Sequence, residues 1–199
     1  CHELVRQYAD TQLAQEPERR HNALARHATY YMELLHGLEI TLLGNVEAQG
    51  IVQNELDNIR AAWRWSIDQG NLALLALGLE SLQAFYRLAG LYREAIHLLE
   101  MALTAVRQVL STAPTRQTMQ LLARLLCHTA QFYRRAGGVE TGETLAQEAV
   151  QLGQQLTDPG LLGLAYHELA RLAQVRSDFL TMFKLAELSC VQARQAGLP

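Results

Sequence analysis

The sequence predicts an all-α fold, a solenoid in which antiparallel helix pairs stack into a superhelix. Strand signals are almost absent, because no stretch alternates apolar and polar residues between clusters of turn residues. Apolar residues recur instead at steps of three and four, the spacing of one helix face. A short turn that begins with a small residue also occurs three times, at Gly90, Gly137 and Ser177. A repeated helix–turn–helix unit of this kind builds a curved array that holds another molecule.

The helices can be justified in order along the chain. The first residues already have the pattern of the middle of a helix, and Pro17, Pro114 and Pro159 stand where later helices begin. Leucines and aromatics at helical spacing precede Gly90 and Gly137, and glycine there ends a helix. The predicted helices cover residues 2–14, 17–43, 47–69, 71–89, 91–110, 115–136, 139–156, 160–175 and 178–196.

Small residues lie behind each turn at helical spacing. They are Ala95 and Ala102, then Gly142, Ala146 and Ala149, then Ala186 and Ser189. Small side chains leave a shallow groove on a helix face, into which a neighbouring helix can pack closely. We therefore expect Ala95 and Ala102 to be buried at the contact between paired helices. An irregular helical bundle, in which the small residues recur by chance, is the alternative.

Composition and charge exclude several classes of function. The 199 residues are 49% hydrophobic, which is ample for a core, and the net charge of −3 provides no electrostatic footprint for nucleic acid or an anionic membrane. No apolar run approaches the roughly 18 residues of a membrane span. Three widely spaced cysteines, Cys1, Cys127 and Cys190, indicate reduced thiols. We expect a cytoplasmic protein, and a piece of a longer one.

Two resemblances follow from particular residues. The register of Leu79, Leu82, Tyr86, Gly90, Tyr92, Ala95 and Ala102 resembles the tetratricopeptide (TPR) repeat, although these turns lie further apart than the usual spacing of about 34 residues. The segments His2–Ala9, His27 with Tyr30 and Tyr31, Gly44, and Glu55–Trp65 resemble bacterial signal-transduction ATPases of the STAND class. In that class a P-loop ATPase domain and a winged helix precede a TPR-like sensor.

The resemblance to the STAND class implies a domain organisation. Residues 1–14 would be the tail of a winged helix or a linker helix, and residues 15–70 the N-terminal helix pair of the sensor. Residues 71–199 would hold TPR-like repeats at about 71–112, 113–157 and 158–199, continuing beyond residue 199. The residues of Glu55–Trp65 also have a structural interpretation, which we favour over a ligand-binding one. Ile59, Ala62 and Trp63 form one face, whereas Trp65 points elsewhere and is expected to contact a neighbouring helix. Asp57 can pair with Arg60, and a polar contact holds Asn58 in the middle of a helix.

The sequence offers no evident catalytic or metal site. Gly137–Thr144 has the glycine spacing of a P-loop, but Glu143 stands where the phosphate-binding lysine must be. The histidines lack metal-ligand spacing, since His167-Glu168 has no second histidine and the side chains of adjacent Cys127 and His128 diverge. We interpret Cys127 and Cys190 as packing residues. We expect neither an enzyme nor a cofactor.

In TPR arrays the first helix of each pair lines the concave surface. Its inward-facing positions here would be Glu80, Ala84, Arg87, Arg124, Cys127, Gln131, Arg134, Arg135, His167, Arg171 and Gln174. Arginine dominates this set, and guanidinium groups suit carboxylates or phosphates. A solvated face whose arginines pair with local glutamates is an equally weighted alternative.

The leading functional hypothesis is a non-catalytic sensor domain of a STAND-type signalling or transcription regulator. Its partner would be a protein, another domain of the same chain, an acidic peptide or a small-molecule inducer, without direct contact to nucleic acid or membrane. The alternative is a free-standing TPR scaffold or peptide-binding adaptor. Apolar residues also surround most of the predicted helix 178–196, so we expect self-association through it.

Overall fold

The computed structural model describes residues 16–197, and this part of the chain is helical without strands, as predicted. The predicted helix at 2–14 and the segment His2–Ala9 lie outside the described residues. The helices are α1 (Pro17–Leu38), α2 (Val46–Asn54), α3 (Leu56–Asp68), α4 (Leu72–Ala89), α5 (Tyr92–Thr112), α6 (Arg116–Ala136), α7 (Val139–Leu156), α8 (Pro159–Val175) and α9 (Phe179–Gln195).

The chain divides into two compact units, Cys1–Ser81 and Leu82–Pro199, and the division falls within α4. In the first unit α1 packs on α3 and also on the first part of α4. A Cβ at Gly78 would lie 2.6 Å from the Met32 sulfur, and the Ser81 hydroxyl donates to the Leu35 carbonyl over 2.6 Å. These contacts explain why the first part of α4 belongs with α1. The predicted domain boundary at residues 70 and 71 stays a prediction; it coincides with the turn between α3 and α4.

Two predicted helices of the first unit are wrong in extent. The helix expected at 17–43 ends at Leu38, and turns continue through residue 44. The helix expected at 47–69 is two helices, because the backbone leaves helical geometry at Glu55. Asp57 and Asn58 therefore lie in the first turn of α3 rather than in the middle of a helix. This position suits them, since short polar side chains favour helix starts.

The side-chain predictions for α3 are confirmed. Ile59, Ala62 and Trp63 are fully buried. Arg60 donates to the Asp57 carboxylate over 2.8 Å. Trp65 contacts a neighbouring helix, with its ring 5.7 Å from that of His21 in α1. This helix is therefore a packing element of the first unit.

The second unit has the predicted repeat-like helix pairs. Residues 82–89 of α4 lead into α5, and α6–α7 and α8–α9 form the next two pairs. The predicted small residues Ala95, Ala102, Ala146 and Ala149 are buried, as is Gly142. A Cβ on Gly142 would lie 3.1 Å from the Ala130 carbonyl in α6 and 3.2 Å from the Leu172 side chain in α8. The close helix packing expected from these residues is confirmed.

The three repeat turns share one hydrogen-bond pattern. Leu91, Gly138 and Asp178 donate their backbone N–H to the carbonyls of Tyr86, Tyr133 and Ala173, over 3.2, 2.8 and 3.0 Å. The residue before each donor has a positive φ, 91° at Gly137 and 60° at Ser177. This left-handed turn is a common way to satisfy the last carbonyls of a helix. The glycine-rich segment at 137–144 is accordingly a repeat turn between two helices, as predicted.

One described helix, α4, is long and apolar enough to cross a membrane by length and composition. Half of the residues in that window are buried within the protein. The core helices of soluble proteins meet the same criterion, so this is weak evidence for a membrane span.

Candidate binding surface

A buried polar cluster joins the first helices of two successive pairs, α6 and α8. The Arg134 guanidinium donates through Nε and Nη2 to Glu168 Oε2, over 3.4 and 3.3 Å. Gln131 Nε2 donates to the other carboxylate oxygen of Glu168 over 3.4 Å. The side chains of Arg134 and Glu168 are only 9% and 2% exposed. Two charges so little hydrated must compensate each other, because either one alone would lack both water and a counter-charge.

This cluster departs from both interpretations of the predicted groove at Arg134. Its charge is neutralised by Glu168 of α8, 34 residues away, so this arginine neither lines an accessible groove nor lies on a solvated face with a local partner. Arg135 is exposed and lies over the Tyr92 ring, with the guanidinium carbon 5.7 Å from the ring centroid. A guanidinium over an aromatic face is held by a cation–π interaction and keeps its charge. Arginines at neighbouring positions therefore have different roles.

The predicted surface is open on α8. His167, Arg171 and Gln174 are all exposed, and their spacing of four and three places them on one helix face. We call these three residues the α8 face. Its backbone is held firmly, because Gly163 of α8 allows close contact with α9, where a Cβ would lie 3.3 Å from the Ala193 nitrogen. The Ser189 hydroxyl donates to the Gly163 carbonyl over 2.8 Å.

The predicted surface is largely covered on α6. Cys127 is buried, and so is Ala84 of α4, so neither lines an accessible groove as we expected. Arg124 and Gln131 are half-buried, as is Arg87 of α4. The physical reason is position, because α6 packs against α5, α7 and α8. Glu80 is half-buried and belongs to the first unit.

Sequence reasoning missed the contact that Glu168 makes. The sequence offers Glu168 only as the neighbour of His167 in an incomplete zinc motif, whereas its side chain lies buried and compensates Arg134. The available signal was a carboxylate between apolar residues of α8, since an ionised group in such surroundings needs a partner.

The prediction for Cys190 is also wrong. Cys190 is exposed on α9 and is not a packing residue, whereas Cys127 is buried as expected.

Tyrosine–glutamate hydrogen bonds recur in both units. Tyr86 donates to Glu94 over 2.7 Å, and Tyr133 donates to Glu100. The bond to Glu100, followed by partial burial, raises the pKa of Tyr133 because the negative carboxylate disfavours a phenolate. In the first unit the Tyr31 hydroxyl donates to Glu55 over 2.9 Å. Burial and then this bond raise the pKa of Tyr31 to about 12.

Glu55 has two hydrogen-bond donors on the same carboxylate oxygen. Asn58 Nδ2 donates over 2.7 Å, and Tyr31 donates from α1. The bond from Asn58, followed by that from Tyr31, lowers the pKa of Glu55 because both stabilise the carboxylate. The predicted polar contact of Asn58 is thereby confirmed. The cluster ties the α2–α3 junction to α1, which is a structural role.

Two of the clefts that lie outside the predicted surface have charged or aromatic walls. One of about 440 Å³ in the second unit is crossed by the Arg107–Glu148 ion pair, 2.6 Å long, and is lined otherwise by leucine, serine and glutamine. The other, about 540 Å³ in the first unit, lies beside Arg20, His21 and Trp65. Among residues 16–197, no three histidine, cysteine, aspartate or glutamate side chains lie close enough together to hold a metal ion.

The chain was compared with protein-family models, curated proteins and solved structures. No protein-family model, curated protein or solved structure matched this chain.

Proposed function

We propose that this chain is a non-catalytic regulatory domain, a sensor that binds a protein or ligand through the α8 face. The observation that carries the proposal is the exposed set of His167, Arg171 and Gln174 on a helix that packs on both sides. Donor groups on a rigid support bind carboxylates with little loss of conformational freedom. The favoured partner is therefore an acidic segment, either from another protein or from another domain of the same protein.

The finer part of the proposal is that the sensor belongs to a cytoplasmic STAND-type ATPase regulator. Support comes from the resemblance of Glu55–Trp65 and from the repeat-like helix pairs of the second unit. In such a regulator the α8 face would hold the ATPase inactive or receive an inducing partner. The decisive observation is the reading frame upstream of Cys1 in the native gene. A P-loop and a winged helix there support the proposal, whereas a start codon close to residue 1 contradicts it.

Charge reversal at Arg171 tests the α8 face. We expect Arg171→Glu to weaken binding of a fluorescein-labelled hexaglutamate peptide at least about tenfold, because an attractive contact becomes repulsive. Binding to the unaltered protein should weaken as salt rises from about 0.05 to 0.3 M, since exposed charges are screened over that range. Fluorescence anisotropy measures both effects.

Arg116→Glu is the matched control. Arg116 is also exposed and lies at the opposite end of its helix from the α6–α8 cluster, so the same change of net charge should leave peptide affinity within about twofold. Equal losses from both variants would show a general charge effect and contradict the α8 face. No loss from Arg171→Glu, with unchanged helicity by circular dichroism, would contradict it as well.

ATP provides a separate test of the non-catalytic assignment. The segment at 137–144 presents Glu143 where a P-loop has lysine, and Glu143 is paired with Arg176 over 2.5 Å. We therefore expect no ATP hydrolysis, and no binding by calorimetry at concentrations up to about 1 mM with magnesium. A dissociation constant in the micromolar range would contradict the assignment.

A further inference from the structure

The last helix, α9, differs from the other second helices of the second unit in having no buried residue. Five of its large apolar side chains are exposed: Phe179, Leu180, Phe183, Leu188 and Val191. Phe183 is 67% exposed and Leu188 44%. The packed side of α9 is instead formed by small and half-buried residues such as Ala186 and Ser189. The sequence predicted this apolar outer side, and the structure confirms its exposure.

The repeat register shows what kind of object fits this side. Counted from the repeat turns, Phe179 and Phe183 of α9 correspond to Val139 and Glu143 of α7. Val139 packs against the cluster that contains Leu172 of α8, and Glu143 pairs with Arg176 at the end of α8. In the preceding pair these positions therefore contact the following helix. The corresponding positions on α9 are occupied by the exposed rings of Phe179 and Phe183, so we expect a helix to pack against them.

We propose that the helix that covers α9 is the α9 of a second copy of this chain, packed antiparallel about a two-fold axis. The outward residues Leu180, Phe183, Lys184, Glu187, Leu188 and Val191 follow the three- and four-residue steps of one helix face. When two such helices run antiparallel with the axis between residues 185 and 186, Leu180 lies level with Val191 and Phe183 with Leu188. Lys184 then lies level with Glu187, so opposite charges meet twice. An isologous interface requires this kind of self-complementarity.

The apolar area exposed on α9 indicates how tightly two copies of the chain are expected to associate. With about 150–200 Å² for each large apolar side chain, the exposed fractions of Leu180, Phe183, Leu188 and Val191 add up to roughly 400 Å² on each copy. This lies within the about 300–600 Å² of the largest apolar patch on a typical monomer, which is often functional, and below the roughly 800 Å² per partner of a standard interface. Polar residues around the patch must therefore contribute the rest of the buried interface area. Because buried area does not by itself fix affinity, we expect only a weak dimer, with a dissociation constant of about 1 µM or higher.

Sedimentation equilibrium of the full 199-residue chain, in the presence of reductant, measures the association. Reductant is needed because Cys190 is exposed and could otherwise form a disulfide. We expect a monomer–dimer equilibrium for the unaltered chain. We expect Phe183→Glu and Leu188→Glu to weaken it at least about tenfold, because each places a charge in the apolar contact. Leu88→Glu is the matched control, since Leu88 is 43% exposed at the end of α4, and it should leave the equilibrium unchanged.

A charge exchange tests the antiparallel register itself. Lys184→Glu and Glu187→Lys should each weaken the dimer, because like charges then face each other across the axis, and the double exchange should restore it. Thermal unfolding of each variant at low concentration checks that the monomer is intact. A strict monomer up to about 0.5 mM would overturn the proposal and leave the α9 side to a different partner. A dimer insensitive to Phe183→Glu, or one not restored by the double exchange, would also overturn it.

Discussion

Replacing Ala102 by aspartate is expected to destabilise the protein by about 4 kcal/mol or more. Ala102 is fully buried in α5, among the small residues that let the paired helices approach. The new carboxylate would have no room and no counter-charge, and burial of an unpaired charge is among the largest single-residue penalties known. For a chain of this length the melting temperature should fall by roughly 8–16 °C.

Thr104→Asp is the control for this experiment, because Thr104 lies exposed on the same helix. Its effect on the free energy of unfolding should stay within about 0.5 kcal/mol. Ala102→Leu separates volume from charge and should cost about 1–3 kcal/mol through overpacking alone. Urea titration followed by circular dichroism gives all three values. A melting temperature unchanged by Ala102→Asp would show that the close helix contact at this residue does not exist.

The second large effect is expected at Glu168. Glu168→Ala removes the counter-charge of Arg134 and should destabilise the protein by about 3–5 kcal/mol, because a buried guanidinium remains without compensation. Glu168→Gln keeps the shape and an acceptor oxygen, so its effect should be smaller. The double variant Arg134→Leu/Glu168→Leu removes both charges and should recover most of the lost stability. Denaturant unfolding of the three variants measures the coupling between the two residues.

The exposed pair Arg107–Glu148 provides the control for Glu168. Its two side chains are 46% and 36% exposed, although the ion pair is shorter than that of Arg134. Glu148→Ala should therefore cost at most about 1 kcal/mol, because water already screens both charges. Equal effects at Glu148 and Glu168 would contradict the assigned role of burial. Failure of the double variant to recover stability would show that the cluster does more than compensate charge.

Much of the fold was predictable because it rests on local chemistry. Helix starts at Pro17 and Pro159 follow from the fixed φ of proline, and both residues are the first of their helices. Gly137 ends α6 because it accepts a positive φ of 91° without strain. The spacing of Ala95, Ala102, Ala146 and Ala149 predicted burial correctly, since residues at these steps share one helix face. The exposed apolar side of α9 was also predictable, because apolar residues surround most of the helix predicted at 178–196.

The candidate site was predicted less well because it depends on neighbours that are distant in sequence. The sequence predicted that Arg134 and Arg171 line the same groove, but their surroundings in the structure differ. Arg134 is compensated by Glu168 from another helix, whereas Arg171 is exposed. Nothing in the local pattern of α6 shows that a carboxylate of α8 will lie beside it. The break at Glu55 was missed for a related reason, because the bond from Tyr31 that holds it comes from α1.

The sequence by itself determined the helical class of this protein, its three repeat turns and the burial of the small residues Ala95, Ala102, Ala146 and Ala149. These properties follow from the backbone preferences of proline and glycine and from the period of the apolar residues, which act within a few residues of chain. Only the tertiary structure decided which polar groups keep their charge available. That outcome depends on which helices meet and how much water remains between them, and it leaves Arg171 of α8 exposed while Arg134 of α6 is buried against Glu168.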